Sequence, residues 1–283
     1  TCRLPNCSPS GYHESAMKLG VIAGMKSTDA LLCQALEQAG HTLAIIHPRI
    51  PVSEWIPWLT RRIRERGFST LIGNLLLAGV LRFERSKESL FKHSPWELVG
   101  KRPPRWQAVQ ARAYACADEE EMIQLLKGTE MVVMLDAFRL SHRLFRSLSR
   151  PCIQVIWGSV PDFMGDSGGY WAYLERKPVV VTLVERGTQF DRLSVVAKFT
   201  VETGAHETLR TIKVKQAAAL ERHLSSFLSV PRAASTEAKT EQVTCRHFYA
   251  PTAWTYLLRR APSSHPLPLY AGRTSVCAVN LPK

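Results

Sequence analysis

Between Met131 and Gly169 the chain runs Met-Val-Val-Met-Leu, then Asp136 to Leu148 at helical spacing, then a second apolar run from Cys152 to Trp157. A loop holding Pro161, Gly165, Gly168 and Gly169 follows. Short apolar runs bounded by turn residues read as strands buried on both faces, and a helical stretch between two of them is the crossover that parallel strands require. The order strand, helix, strand, Gly-rich loop therefore predicts an α/β protein, with the loop past the carboxyl end of a strand, where open α/β sheets bind ligands.

The opening of the chain repeats the pattern. Lys18 to Ala23 reads as a strand, Leu31 to Ala39 as a helix closed by Gly40, and Leu43 to Ile46 as a second strand. Trp55 to Arg66 reads as an amphipathic surface helix, with Arg61, Arg62, Arg64 and Arg66 beside Trp55, Trp58, Leu59 and Ile63. Leu71 to Leu81 is a further buried element, and Ser86 to Arg105, broken by Pro95, Gly100, Pro103 and Pro104, is expected to be a long surface loop. Tyr114 to Cys116 is a short strand, and Asp118 caps the acidic first turn of the helix that follows. Val179 to Val184 and Leu193 to Phe199 have β-branched composition and are expected to form a hairpin turning at Gly187 to Asp191. Glu207 to Leu228 is the last strong helix. Pro231 to Thr240 reads as a linker, Phe248 to Leu258 as a short aromatic cluster, and the Pro-rich tail from Ala261 as lacking regular structure.

At 283 residues and 45% hydrophobic content, the chain can fill one large core or two ordinary ones. No apolar run approaches the ~20 residues of a membrane span, so no membrane partner is expected. The net charge of +13 raises nucleic acid as a partner. The basic residues are dispersed, however, which favours solvated helix faces and leaves acidic small molecules or an acidic carrier as alternatives. The seven cysteines are odd in number and include no Cys-x-x-Cys pair, so the expectation is reduced thiols in the cytoplasm and no zinc. Residues 1 to 16 have no apolar core of the secretory kind and read as an extension upstream of a start at Met17. Gly20 to Gly24 lacks the Gly-x-Gly-x-x-Gly spacing of a dinucleotide turn, and Ser159 lacks the Gly-x-Ser-x-Gly elbow of a serine hydrolase.

One stretch carries a more specific signal. Gln154-Val-Ile156-Trp-Gly-Ser-Val-Pro161-Asp-Phe-Met-Gly165, followed by Tyr170-Trp171-Ala172, resembles the Asn-x-His-Pro-Ser-Leu-Leu-Pro-x-x-x-Gly and aromatic-Trp-Ala frame of folate-dependent formyltransferases. Pro161, Gly165, Trp171 and Ala172 fall in register without a gap. Gln154 stands where that family has Asn, and Ile156 where it has His. Thr182 to Leu193 is similar to the segment that holds the family's Asp; counting from Thr182 places it on Asp191, and counting from Gly187 places it on Gln189. Met17 to Gly24 looks like the family's first strand and turn, so the likeness spans roughly Met17 to Leu228.

The resemblance implies a formyltransferase fold, Rossmann-like, with a mostly parallel sheet and helices on both faces. It also implies a division into an extension (1–16), an α/β domain (17–230), a linker with a short C-terminal segment (231–260) and a tail (261–283). The implied donor is 10-formyltetrahydrofolate and the implied acceptor an amine of a small metabolite. Gln154 and Asp191 would be the catalytic positions, and Pro161 and Gly165 the cofactor-binding ones. In the family the Asn and His hold the oxyanion of the tetrahedral intermediate and the Asp orients the His. Gln154 keeps an amide N–H on a longer stem, whereas Ile156 offers neither hydrogen bond nor charge. His142 and His206 are the histidines whose positions qualify them as substitutes. Initiator transfer RNA is not expected as a substrate, because only 53 residues follow Val230 where such members add a barrel. Two functions stay open: a divergent formyltransferase, and a binding module that kept the fold without the reaction.

Overall fold

The computed structural model describes residues 16–24, 26–48, 55–66, 68–91, 94–104, 107, 109, 113–116, 118–135, 142–148, 150–186, 192–229, 240–248, 250–258 and 272–280. Among them a single mixed sheet has nine strands in the order β3-β2-β1-β4-β5-β6-β7-β9-β8. The strands are β1 (Lys18–Ile22), β2 (Thr42–Pro48), β3 (Tyr114–Cys116), β4 (Met131–Met134), β5 (Cys152–Ile156), β6 (Val179–Arg186), β7 (Arg192–Val201), β8 (Thr240–Phe248) and β9 (Gly272–Asn280). The first five are parallel, while β6 turns back antiparallel on β5 and β7 on β6.

Alternation along the strands sets the two layers. One face sends Leu19, Val21, Val133, Ile153, Val155, Val181 and Leu183 into a core closed by α1 (Ser27–Gln38) and α7 (Leu209–Ser229). The other face sends Ile22, Ile46, Val132, Met134 and Cys152 against α4 (Glu119–Leu126) and α5 (His142–Ser147). Each such aliphatic side chain removed from water contributes about 1.5–3 kcal/mol. The α/β fold with helices on both faces is thus as the sequence predicts. Asp118 accepts the Glu120 N–H at 3.3 Å, as a helix cap does.

Four expectations are corrected. Leu71 to Leu81 is not a separate buried element but part of α3 (Phe68–Phe91), a helix with apolar residues around its whole circumference. Only its Gly73 and Leu77 side is buried, against α6 (Gly168–Leu174), α8 (Ala253–Leu258) and Thr252. Ser86 to Arg105 is not all loop, since α3 continues to Phe91 and the Trp96 side chain is buried. The Pro-rich tail contains β9, whose backbone is satisfied by pairing with β7 and β8, a partner that composition does not reveal. Finally, the thiols are not all reduced. Cys33, Cys116 and Cys152 are buried outside any disulfide, whereas Cys245 on β8 is disulfide-bonded, to a cysteine outside the described side chains. The linker at 231–239 and residues 136–141 of the expected Asp136 to Leu148 helix lie outside the described residues.

α2 (Trp55–Arg66) is a surface helix, as its arginine pattern predicts, and packs on α3. Among the described residues no helix is long and apolar enough to cross a membrane, and no cluster of His, Cys, Asp and Glu is arranged to hold a metal.

Candidate functional site

The loop after β5 is pinned at both ends. Trp157 is buried at the strand end, where its Nε1–H donates to the Leu135 carbonyl at 3.1 Å and so ties the loop to the end of β4. Gly158 sits where a Cβ would lie 1.9 Å from the Phe163 carbonyl oxygen, and its own carbonyl accepts the Thr182 hydroxyl at 2.7 Å. Only glycine permits that approach. Phe163 N–H donates to Ser159 O, and Gly169 N–H, at the start of α6, returns to Trp157 O, each at 2.7 Å. The Val160–Pro161 peptide is cis, and Lys198 from β7 donates to the Val160 carbonyl at 3.0 Å.

The middle of the loop is covered by the end of β8. Gly165 has φ +107°, in the region that favours glycine, and a Cβ there would lie 2.5 Å from the Phe248 carbonyl oxygen. Phe248, the last residue of β8, donates its N–H to Met164 O at 2.7 Å. Its ring stacks on Phe163 at 5.1 Å and tilts against Trp171 at 5.8 Å.

Gln154 is buried on β5 and its Oε1 accepts from Arg186 Nε at 2.5 Å. Burial draws the Arg186 pKa below its ordinary value, so the half-buried guanidinium benefits from partners such as this amide. On the same face of β5, burial pushes the Cys152 thiol up to about 12 despite the nearby Arg186 charge, which leaves it protonated and unreactive near neutral pH. Ile156, two residues further, is 5% exposed and sits in an apolar cluster with Val160, Met164, Val184, Leu193, Val195 and Cys245. An imidazole at this position would be sealed in hydrocarbon.

Charge gathers on the other side of the loop. Asp166 pairs with Lys213 of α7 and with Lys26 before α1, the latter at 3.1 Å. Burial alone would raise the Asp166 pKa, but the two ammonium groups outweigh it and hold the carboxyl well below the usual range. The Lys213 ammonium also stands 5.6 Å from the centre of the Trp157 ring. These pairs clamp the loop to α1 and α7.

Gln154 lies on β5, and Pro161 and Gly165 lie in the loop that follows it. Asp191 and Gln189 lie outside the described residues, as does the side chain of His142. His206 is exposed in the segment leading into α7. The residues that sequence reasoning missed are Arg186, Thr182, Lys213 and Phe248. Arg186 shares strand parity with Val184, so once the β5–β6 register is known it falls beside Gln154. Nothing in the sequence signals Phe248, whose role depends on a long-range contact.

No protein-family model matches the sequence, and no curated protein matches it either. Solved structures do match. A candidate sugar N-formyltransferase from Mycobacterium tuberculosis aligns over 94% of this chain and 98% of its own, with TM-score 0.51 and 12% identity. Phosphoribosylglycinamide formyltransferase from Anaplasma phagocytophilum aligns over 75% of this chain and 85% of its own, with TM-score 0.47 and 11% identity. A sugar N-formyltransferase from a Shewanella species aligns over 75% and 70%, with TM-score 0.45 and 12% identity. At such identities the likeness is one of fold.

Proposed function

We propose, from a formyltransferase fold, that this chain is a member of that fold group which no longer formylates amines at the Gln154 and Ile156 positions and works instead as a binding protein. The observation that carries the reading is the apolar cluster around Ile156, into which β8 contributes Cys245. Where the resembling enzymes place an imidazole next to a reacting carbonyl, this chain has a branched hydrocarbon among six apolar neighbours. An oxyanion generated there would find no donor from residue 156, and loss of one such donor alone costs about 10²–10³ in rate.

Gln154 is held through its amide oxygen, which accepts from Arg186 within the sheet; an oxyanion would need its N–H instead, so the reading rests on Ile156. The residues present do not fit the formyl group of 10-formyltetrahydrofolate at this position, since Ile156 offers it neither a hydrogen bond nor a charge.

Two measurements on the full chain test the proposal. Calorimetric titration with 5-formyltetrahydrofolate, a stable analogue of the donor, asks whether a folate binds at all. Incubation with 10-formyltetrahydrofolate and amino-sugar or glycinamide acceptors asks whether formyl transfer exceeds the uncatalysed rate. The expected result is no turnover, whether or not the folate binds. Turnover abolished by Gln154→Leu would overturn the proposal in favour of a divergent formyltransferase.

A further inference from the structure

α3 presents apolar side chains on two opposed sides. The inner side holds Gly73, packed on Thr252, the buried Leu77, and Glu84, whose carboxylate accepts the Tyr256 hydroxyl at 2.9 Å. At 100° per residue, Phe68, Ile72, Leu75 and Leu76 form a separate outward row, and they are 62%, 43%, 66% and 46% exposed. α2, directly before α3 and packed on it, carries a second such row, Ile56, Leu59 and Ile63, of which Ile56 is 76% exposed. A helix whose solvent side is as apolar as its core side marks a surface built to meet something other than water.

The charge around these rows selects the partner. From Trp55 to Phe91 the chain has seven Lys or Arg residues against three Glu, a net charge of +4, within a protein of net charge +13. Arg64 and Arg82 are exposed. A second copy would bring one segment of net charge +4 against another, with the exposed Arg64 and Arg82 among its charges, at an electrostatic cost. An anionic bilayer surface meets both halves of the pattern: its headgroups attract the arginines, and its acyl boundary accepts Phe68, Ile72 and Leu75. We propose that the α2–α3 pair is a peripheral docking surface for anionic phospholipid, lying in the interface without crossing the bilayer.

The test is cosedimentation of the full chain with vesicles of phosphatidylcholine alone or with roughly a third phosphatidylglycerol. The expected result is binding to the mixed vesicles only, lost as salt rises from about 0.1 to about 1 M. Leu75→Glu and Phe68→Glu should each lower the partition coefficient at least about tenfold. Arg64→Glu with Arg82→Glu should lower it by a similar factor. All four positions are exposed, so thermal unfolding of the variants should stay close to that of the parent. Failure to bind mixed vesicles, equal binding to neutral ones, or binding indifferent to Leu75→Glu would overturn the proposal. A dimer in light scattering that Leu75→Glu dissolves, without vesicle binding, would overturn it too and assign the face to a second copy.

Discussion

The Phe248 N–H donates to the Met164 carbonyl at 2.7 Å, so the end of β8 is bonded to the loop that follows β5. More than eighty residues separate the two partners. The contact places a C-terminal ring over Phe163 and Trp171 and brings Cys245 to Ile156. The loop that carries the strongest family resemblance is therefore roofed by a segment outside that resemblance.

Gly165→Ala tests the roof. The substitution adds a Cβ in the left-handed region and 2.5 Å from the Phe248 oxygen. It should destabilise by about 1–3 kcal/mol and reduce amide protection in β8, measured by denaturant unfolding and hydrogen exchange. Gly79→Ala is the control: it lies within α3 with open space around it and should stabilise by about 0.5–1 kcal/mol.

Ile156→His, alone or with Gln154→Asn, would introduce the residue types of the resembling enzymes without their surroundings. An imidazole closed among apolar neighbours should cost about 2–4 kcal/mol and yield no measurable formyl transfer. A gain of turnover would show that the site opens in solution.

Arg186→Leu leaves the Gln154 oxygen buried without this donor and should destabilise by about 1–3 kcal/mol. The double variant with Gln154→Leu removes both partners. It should recover much of that loss, and the coupling read from a double-mutant cycle of unfolding curves measures the pair.

Glu207 gives a pH signature. Burial would raise its pKa, but the bond from Lys215, the Thr211 hydroxyl and the Gly204 N–H together lower it. A carboxylate depressed in the folded state contributes stability that is present above its unfolded pKa, about 4.3, and is lost as pH falls below that through the folded value. Glu207→Gln should therefore cost about 1–3 kcal/mol at neutral pH and flatten the acid limb of stability against pH.

The sequence by itself determined the alternation of strands and helices, because periods of two and near four residues follow from local backbone geometry and from which side chains leave water. The strands read at Lys18 to Ala23, Leu43 to Ile46 and Cys152 to Trp157, found at Lys18–Ile22, Thr42–Pro48 and Cys152–Ile156, are legible for that reason, as are the Asp118 cap and the hairpin strands β6 and β7. It also determined that residue 156 offers no titratable or hydrogen-bonding proton, since a hydrocarbon has none whatever its surroundings. Only the tertiary structure decided that β9 joins β8 to the sheet, that Arg186 bonds Gln154 and that Phe248 roofs the loop. Each of these joins residues far apart in the chain, through register and packing that no local pattern encodes. The outward row of α3 belongs to both: its apolar residues are visible in the sequence, but which side of the helix the rest of the protein covers is settled by the contacts of Gly73 and Leu77.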